Sequence, residues 1–180
     1  MIRATLLLGA LLVNTPLQGR AQSNAELINQ AVLPLPEALR DGARVIDYQA
    51  RGQPTVLREG TNEMSCRLFS YLPLFVAQCH HRELTAMFDR YFELLGQGTS
   101  SDDAAGILDD EIEAGQLTVN NGGSEYLLTG ANPESAELVV TVTIPGATGA
   151  STGLPTEESG DQPWLMWAGT QVAHIMIPQS

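Results

Sequence analysis

Between Arg82 and Gly96 the apolar residues Leu84, Met87, Phe88, Tyr91, Phe92 and Leu95 recur at steps of three and four. That spacing places them on one stripe of an α-helix, with Arg82, Glu83, Asp89, Arg90 and Glu93 mostly off it. Gly96 supplies the stop. A stripe of this width covers a sheet or another helix, so this segment is expected to be the main helix of the fold. SDDAAGILDDEIEAG (101–115) carries a thinner stripe of Ile107, Leu108 and Ile112, which predicts a second, acid-rich helix ending at Gly115.

Elsewhere the period is two. ARVIDYQ (43–49), QPTVLRE (53–59) and MSCRLF (64–69) read as strands separated by turn residues. QLTVNNGGSEYLLTG (116–130) reads as a hairpin about Asn121-Gly122, a pair suited to a type I′ turn. In AELVVTVTIPG (136–146), Leu138, Val140, Val142 and Ile144 alternate with Val139, Thr141 and Thr143. The Gly-, Ser- and Thr-rich stretch 147–163 is a surface loop. The tail, PWLMWAGTQVAHIMIP (163–178), predicts a last hairpin broken at Gly169, with Trp164 and Met166 on one face and Leu165 and Trp167 on the other. Both faces are apolar, so the hairpin is expected at the centre of the sheet. Ser23–Ala31 and a short segment after Pro36 predict two minor helices. The sum is an α+β fold: an antiparallel sheet of about five to seven strands, one main amphipathic helix packed on it, and one disulfide.

Two features place the chain outside the cytosol. MIR followed by ATLLLGALLV (4–13) has the charged and apolar regions of a signal peptide, too short to span a bilayer. Gly19 and Ala21 suit a peptidase. Residues 1–21 are therefore expected to be a signal peptide and residues 22–180 a single exported domain, periplasmic or extracellular, with no membrane insertion once the signal is removed. In an oxidising compartment the two cysteines, Cys66 and Cys79, are expected to pair.

The formal net charge is −12, and all nine basic residues are arginines. None lies beyond Arg90, so the second half has nothing to neutralise phosphates or bind an anionic bilayer, which argues against nucleic-acid partners.

Chemistry-bearing residues are sparse. His80, His81, Arg82 and Glu83 form the densest cluster, and on a helix His80 and Glu83 would share a face. Without an HExxH spacing, no metal or other cofactor is expected. His174 sits on an apolar strand face and would need an orienting acid to act as a base, for which Asp161 is the candidate nearby in sequence. Trp164 and Trp167, alternating on a strand, would not form one stacking platform.

VLREGTNEMSC (56–66), the Cys66 and Cys79 pair and GLPTEESGDQPWLMWAGTQVAHIMIP (153–178) resemble a group of uncharacterised exported bacterial proteins. That group shares an LRxGxN-type turn before a cysteine and a GLPT…PWVMWKGTPYAHIM-like end. The resemblance implies export and carries no activity. The functional expectation is a non-enzymatic binding or accessory protein of the bacterial envelope, with a protein or small-molecule ligand as partner. The alternative is a hydrolase-like or metal-assisted enzyme using His174 with Asp161, or His80 and Glu83.

Overall fold

The computed structural model describes residues 22–158 and 160–179, so the signal-peptide expectation lies outside the described residues. The chain opens with α1 (Asn24–Ala31), whose first turn is closed by a capping box between Ser23 and Glu26. The four-residue α2 (Glu37–Arg40) follows Pro36. Then come β1 (Arg44–Ala50), β2 (Gln53–Arg58), β3 (Met64–Leu68) and β4 (Phe75–His81). A single 3-10 turn, Arg82–Leu84, leads into α3 (Thr85–Gly96), and α4 (Ser101–Glu113) follows with Ser100 as its N-cap. The second half holds β5 (Ser124–Gly130), β6 (Glu137–Thr143), the short α5 (Gly149–Thr152), β7 (Trp164–Met166) and β8 (His174–Gln179).

The strands form one sheet of eight, in the order β2-β1-β3-β4-β5-β6-β8-β7. The α+β class and the disulfide agree with the sequence reading, but the sheet is larger than expected and is mixed. β1 and β3 run parallel, while the other neighbours are antiparallel. The additional strand is β4. In FVAQCHH the apolar Val76 shares the α3-side face with Gln78 and His80, and the polar His81 shares the other with Phe75, Ala77 and Cys79, so the alternation is broken at both ends and hidden from a hydrophobicity reading. Cys79 and His80 therefore lie on a strand rather than at a helix start.

Cys66 and Cys79 are directly paired across β3 and β4, with Sγ atoms bonded at 2.07 Å. The bridge staples two strands and does not tie the helix to the sheet. Closing so short a loop is worth about 3 kcal/mol in a chain-entropy account.

Two further expectations are corrected. The arm preceding Asn121-Gly122 is not a strand. That turn instead caps β6, with Gly122 N–H donating to Thr143 O at 2.8 Å and Thr143 N–H donating to Gly123 O at 2.9 Å. The terminal hairpin forms between β7 and β8 but occupies the edge of the sheet. Its apolar faces are covered without a central position: Leu165, Ala173 and Ile175 pack with Ala147 and Leu154 from the preceding loop on one side. On the other, Val172 and Trp167 join the helical cluster.

One face of the sheet is closed by α1, through Leu27, Ala31, Val32 and Leu35 against Val45, Met64, Cys66, Leu68, Ala77 and Cys79. The opposite face carries α3 and α4, which pack on each other through Leu84, Met87, Phe88, Leu94, Ala104, Ala105 and Leu108. Burying residues such as Leu84 and Leu108 fully contributes about 1.5–3 kcal/mol each. Arg90 binds Glu111 in a two-pronged ion pair that ties the two helices together.

Candidate functional site

The register of the sheet decides which side chains face α3 and α4. Partners directly opposite on neighbouring strands share a face. One row across that face runs Ser65, His80, Glu125, Thr141, Met176, and the next runs Arg67, Gln78, Leu127, Val139. Thr143 and His174 form the adjoining pair. The middle of an otherwise apolar protein is thus paved with polar side chains.

Over this pavement the helices stand off and leave a partly open cavity of about 370 Å³. Its walls are mostly apolar: Met87, Phe88, Tyr91 and Phe92 from α3, Leu108 from α4, Met166 from β7, and Phe69, Leu72 and Trp167 from connecting segments. Its floor carries Gln78, Glu125, Leu127, Thr141, Thr143, His174 and Met176. An apolar chamber with a few convergent polar groups is the general form of a small-molecule site, and the volume lies at the small end of the usual range of about 300–1,000 Å³.

Glu125 is the centre of the floor. Gln78 Nε2 donates to its Oε1 at 3.0 Å and Thr141 Oγ1 donates to its Oε2 at 3.0 Å. Burial pushes this carboxyl above the usual carboxylate range, against the opposing pull of His174, the two hydrogen bonds and Arg67. Gln78 Oε1 is buried with no partner. His174 Nδ1 lies 2.9 Å from Val172 O; since a carbonyl only accepts, Nδ1 carries a proton, which makes Nε2 the acceptor in the neutral form of the ring. The ring of Trp167 meets that of His174 edge-on, with centroids 5.2 Å apart.

Beside the cavity lies a buried cation. Arg67 has no solvent exposure, pairs with Asp89 of α3, and places its guanidinium 5.3 Å from the Phe92 ring centroid. Its Nη1 donates to His80 Nδ1 at 2.8 Å, which leaves His80 Nε2–H to donate to Thr85 Oγ1 at 3.2 Å. Burial first, then the neighbouring Arg67, His81 and Arg44, hold His80 well below the ordinary histidine range, so it is neutral.

The roof is fastened by two contacts. Tyr91 and Ser101 hydroxyls are 2.7 Å apart, joining α3 to the start of α4. Asp109 of α4 accepts from the backbone N–H of Gln171, in the turn between β7 and β8. Trp167, which begins that turn, has φ 51° and is the one non-glycine residue with positive φ among the described residues. A large side chain held in this region costs roughly 1–2 kcal/mol, and such strain tends to sit at binding sites.

Of the residues singled out from sequence, His174 and Trp167 line the cavity. Trp164 pairs with Met176 at the sheet edge and lies outside the lining. The left-handed turn at Trp167 ends the strand alternation, so the two tryptophans do not follow the expected opposite-face pattern. Asp161 is exposed on the loop before β7 and is not among the lining residues; the carboxyl that His174 acts upon is Glu125. His80 and Glu83 are not brought together. His80 points inward from β4, whereas Glu83 is exposed with its carboxylate 3.8 Å from His81. Among the described residues no group of three or more His, Cys, Asp or Glu is placed to hold a metal ion.

Sequence reasoning missed Glu125, Gln78 and Arg67. For Gln78 and Arg67 the available signal was positional: each is an amide or charged residue between apolar neighbours on a strand, which asks for a partner inside the fold, whereas Glu125 follows Ser124 and carries no such signal.

No family model, no curated protein and no solved structure matches this chain.

Proposed function

We propose that this protein is an exported binding protein that holds a small, largely apolar molecule between its sheet and the α3–α4 pair. The observation that carries this reading is the cavity itself: about 370 Å³ walled by aromatic and aliphatic side chains, with its polar groups gathered on one floor. A purely structural core would collapse such a space, because interiors pack to near-crystalline density. The Cys66–Cys79 bridge is at home in an oxidising compartment and supports the exported setting.

The test uses the oxidised chain and N-phenyl-1-naphthylamine, a neutral apolar dye whose fluorescence rises on leaving water. It should bind with one site per chain, and Leu127→Trp, which fills the cavity from the floor, should reduce binding at least tenfold while circular dichroism stays unchanged. Thr143→Phe is a second filling variant in case Leu127→Trp fails to fold. Dye binding unaffected by either folded variant sinks the proposal.

A catalytic reading has one observation in its favour. A carboxyl whose proton affinity burial raises, sharing a cavity with a histidine, is the raw material of acid–base chemistry. It predicts reproducible turnover of some ester or amide that Glu125→Gln abolishes; its absence across a broad panel leaves binding as the function.

A further inference from the structure

Apart from the Thr143 hydroxyl, the floor of the cavity has few donors to spare. Glu125 takes both donors that face it, from Gln78 and Thr141, and each serves one of its oxygens. Gln78 Oε1 receives nothing. His174 spends its Nδ1–H on Val172 O, so in the neutral ring Nε2 is another open acceptor. An occupant that brought only acceptors would find little to bind. An occupant bringing several N–H donors would meet Glu125, Gln78 and His174 together. The walls suit the same chemistry, because Phe88, Tyr91, Phe92 and Trp167 line the chamber with aromatic rings, the side chains that attract cations.

Building on the cavity reading, we infer that the ligand is a small primary amine with an apolar body, its ammonium group seated on Glu125 and its body against α3 and Trp167. The charges that face Glu125 fit this choice. Across the ladder His80 is neutral. Arg67 is the nearest fixed cation, and Asp89 compensates it. From α3 the phenol of Tyr91 is neutral and bonded to Ser101. From β8, His174 is the only other ionisable group of the floor. Burial raises the proton affinity of the carboxyl when it stands without a counter-ion; an arriving ammonium offsets that cost and favours the ionised form, so the pair forms inside a chamber of low polarity. A carboxylate ligand would instead bring negative charge into the chamber where burial already disfavours an anion.

The experiment is displacement of the bound dye by three molecules that share one body: 2-phenylethylamine, 2-phenylethanol and 3-phenylpropanoate. In the wild-type chain the amine should compete at least tenfold better than the alcohol, and the carboxylate should be weakest. Glu125→Gln keeps the shape and removes the charge; within that variant, whatever its own dye affinity, the amine should compete no better than the alcohol. Equal competition by all three, or preference for the carboxylate, overturns the amine assignment and leaves the cavity reading standing. Failure of all three to displace a dye that Leu127→Trp does exclude also overturns the amine assignment alone. If the filling variants leave dye binding intact, both readings fall.

Discussion

Thr141 and Glu125 face each other across the β5–β6 ladder, and the threonine hydroxyl donates to the carboxyl at 3.0 Å. With Gln78 on the other side, this pair holds a carboxyl in place where burial raises its proton affinity above the ordinary value. The consequence for stability has a definite sign. A raised carboxyl binds more protons in the folded than in the unfolded chain, so its contribution is complete below the unfolded value of 4.5 and is lost as pH rises through the folded one. Glu125→Gln should therefore be no more stable than wild type at pH 4. It should become progressively more stable than wild type as pH climbs, then hold a constant advantage. Thermal melts of both proteins from pH 4 to 8 check this; a difference that does not change with pH contradicts it.

His80 slopes the other way. Its folded form is held neutral by burial and by Arg67, whereas the unfolded chain protonates it near 6.5. Stability from this group is present above 6.5 and is lost as pH falls below it. In His80→Gln, whose amide oxygen can still accept from Arg67, the loss of melting temperature between pH 7 and pH 5 should be smaller than in wild type. An unchanged acid limb would count against the neutral, Arg67-bonded histidine.

How much of this was legible beforehand follows from which residues alternate cleanly. The α3 stripe from Leu84 to Leu95 recurs cleanly at steps of three and four, and its helix matches the sequence reading closely. β6 behaves likewise. β4 does not: Val76, Gln78 and His80 share the cavity face with Arg67 and Glu125, so the inward side of the strand looks solvent-exposed in sequence. The same fact hid the site. A buried polar pavement borrows its partners from distant strands, and the interval from Gln78 to Glu125 or from Arg67 to Asp89 carries no local signature. The edge position of the last hairpin was equally unreadable, because both its faces are apolar whether a neighbouring strand or the Ala147–Leu154 loop covers them.

Asp89 is the counter-charge for Arg67, a side chain with no exposure. Removing it leaves a guanidinium desolvated with only His80 and two aromatic rings around it. Loss of one partner of a buried pair costs about 3–5 kcal/mol, and since Asp89 itself is largely solvated the lower end applies here. Asp89→Asn should lose about 3 kcal/mol in urea unfolding. Arg67→Met together with Asp89→Asn should recover most of it, since the unpaired charge is gone and the methionine fills similar volume. A double variant as unstable as the single one would show that the cation is required for more than its pairing.

Trp167 offers the most direct test of strain at the cavity. Its φ of 51° lies in the left-handed region, where a Cβ is penalised and glycine is not. Within ordinary helices and strands, alanine is more stable than glycine by about 0.5–1 kcal/mol. At position 167 the order should reverse, with Trp167→Gly more stable than Trp167→Ala by about 1 kcal/mol. Both variants lose the indole that packs edge-on against His174 and near Tyr91, so both should fall below wild type in stability. Both should also lose dye affinity to the same extent, because the wall they remove is the same. Paired denaturant curves and dye titrations of the two variants separate the terms. If alanine is the more stable, the backbone at this turn relaxes freely, and the strained conformation is a consequence of seating the indole rather than a feature of the turn.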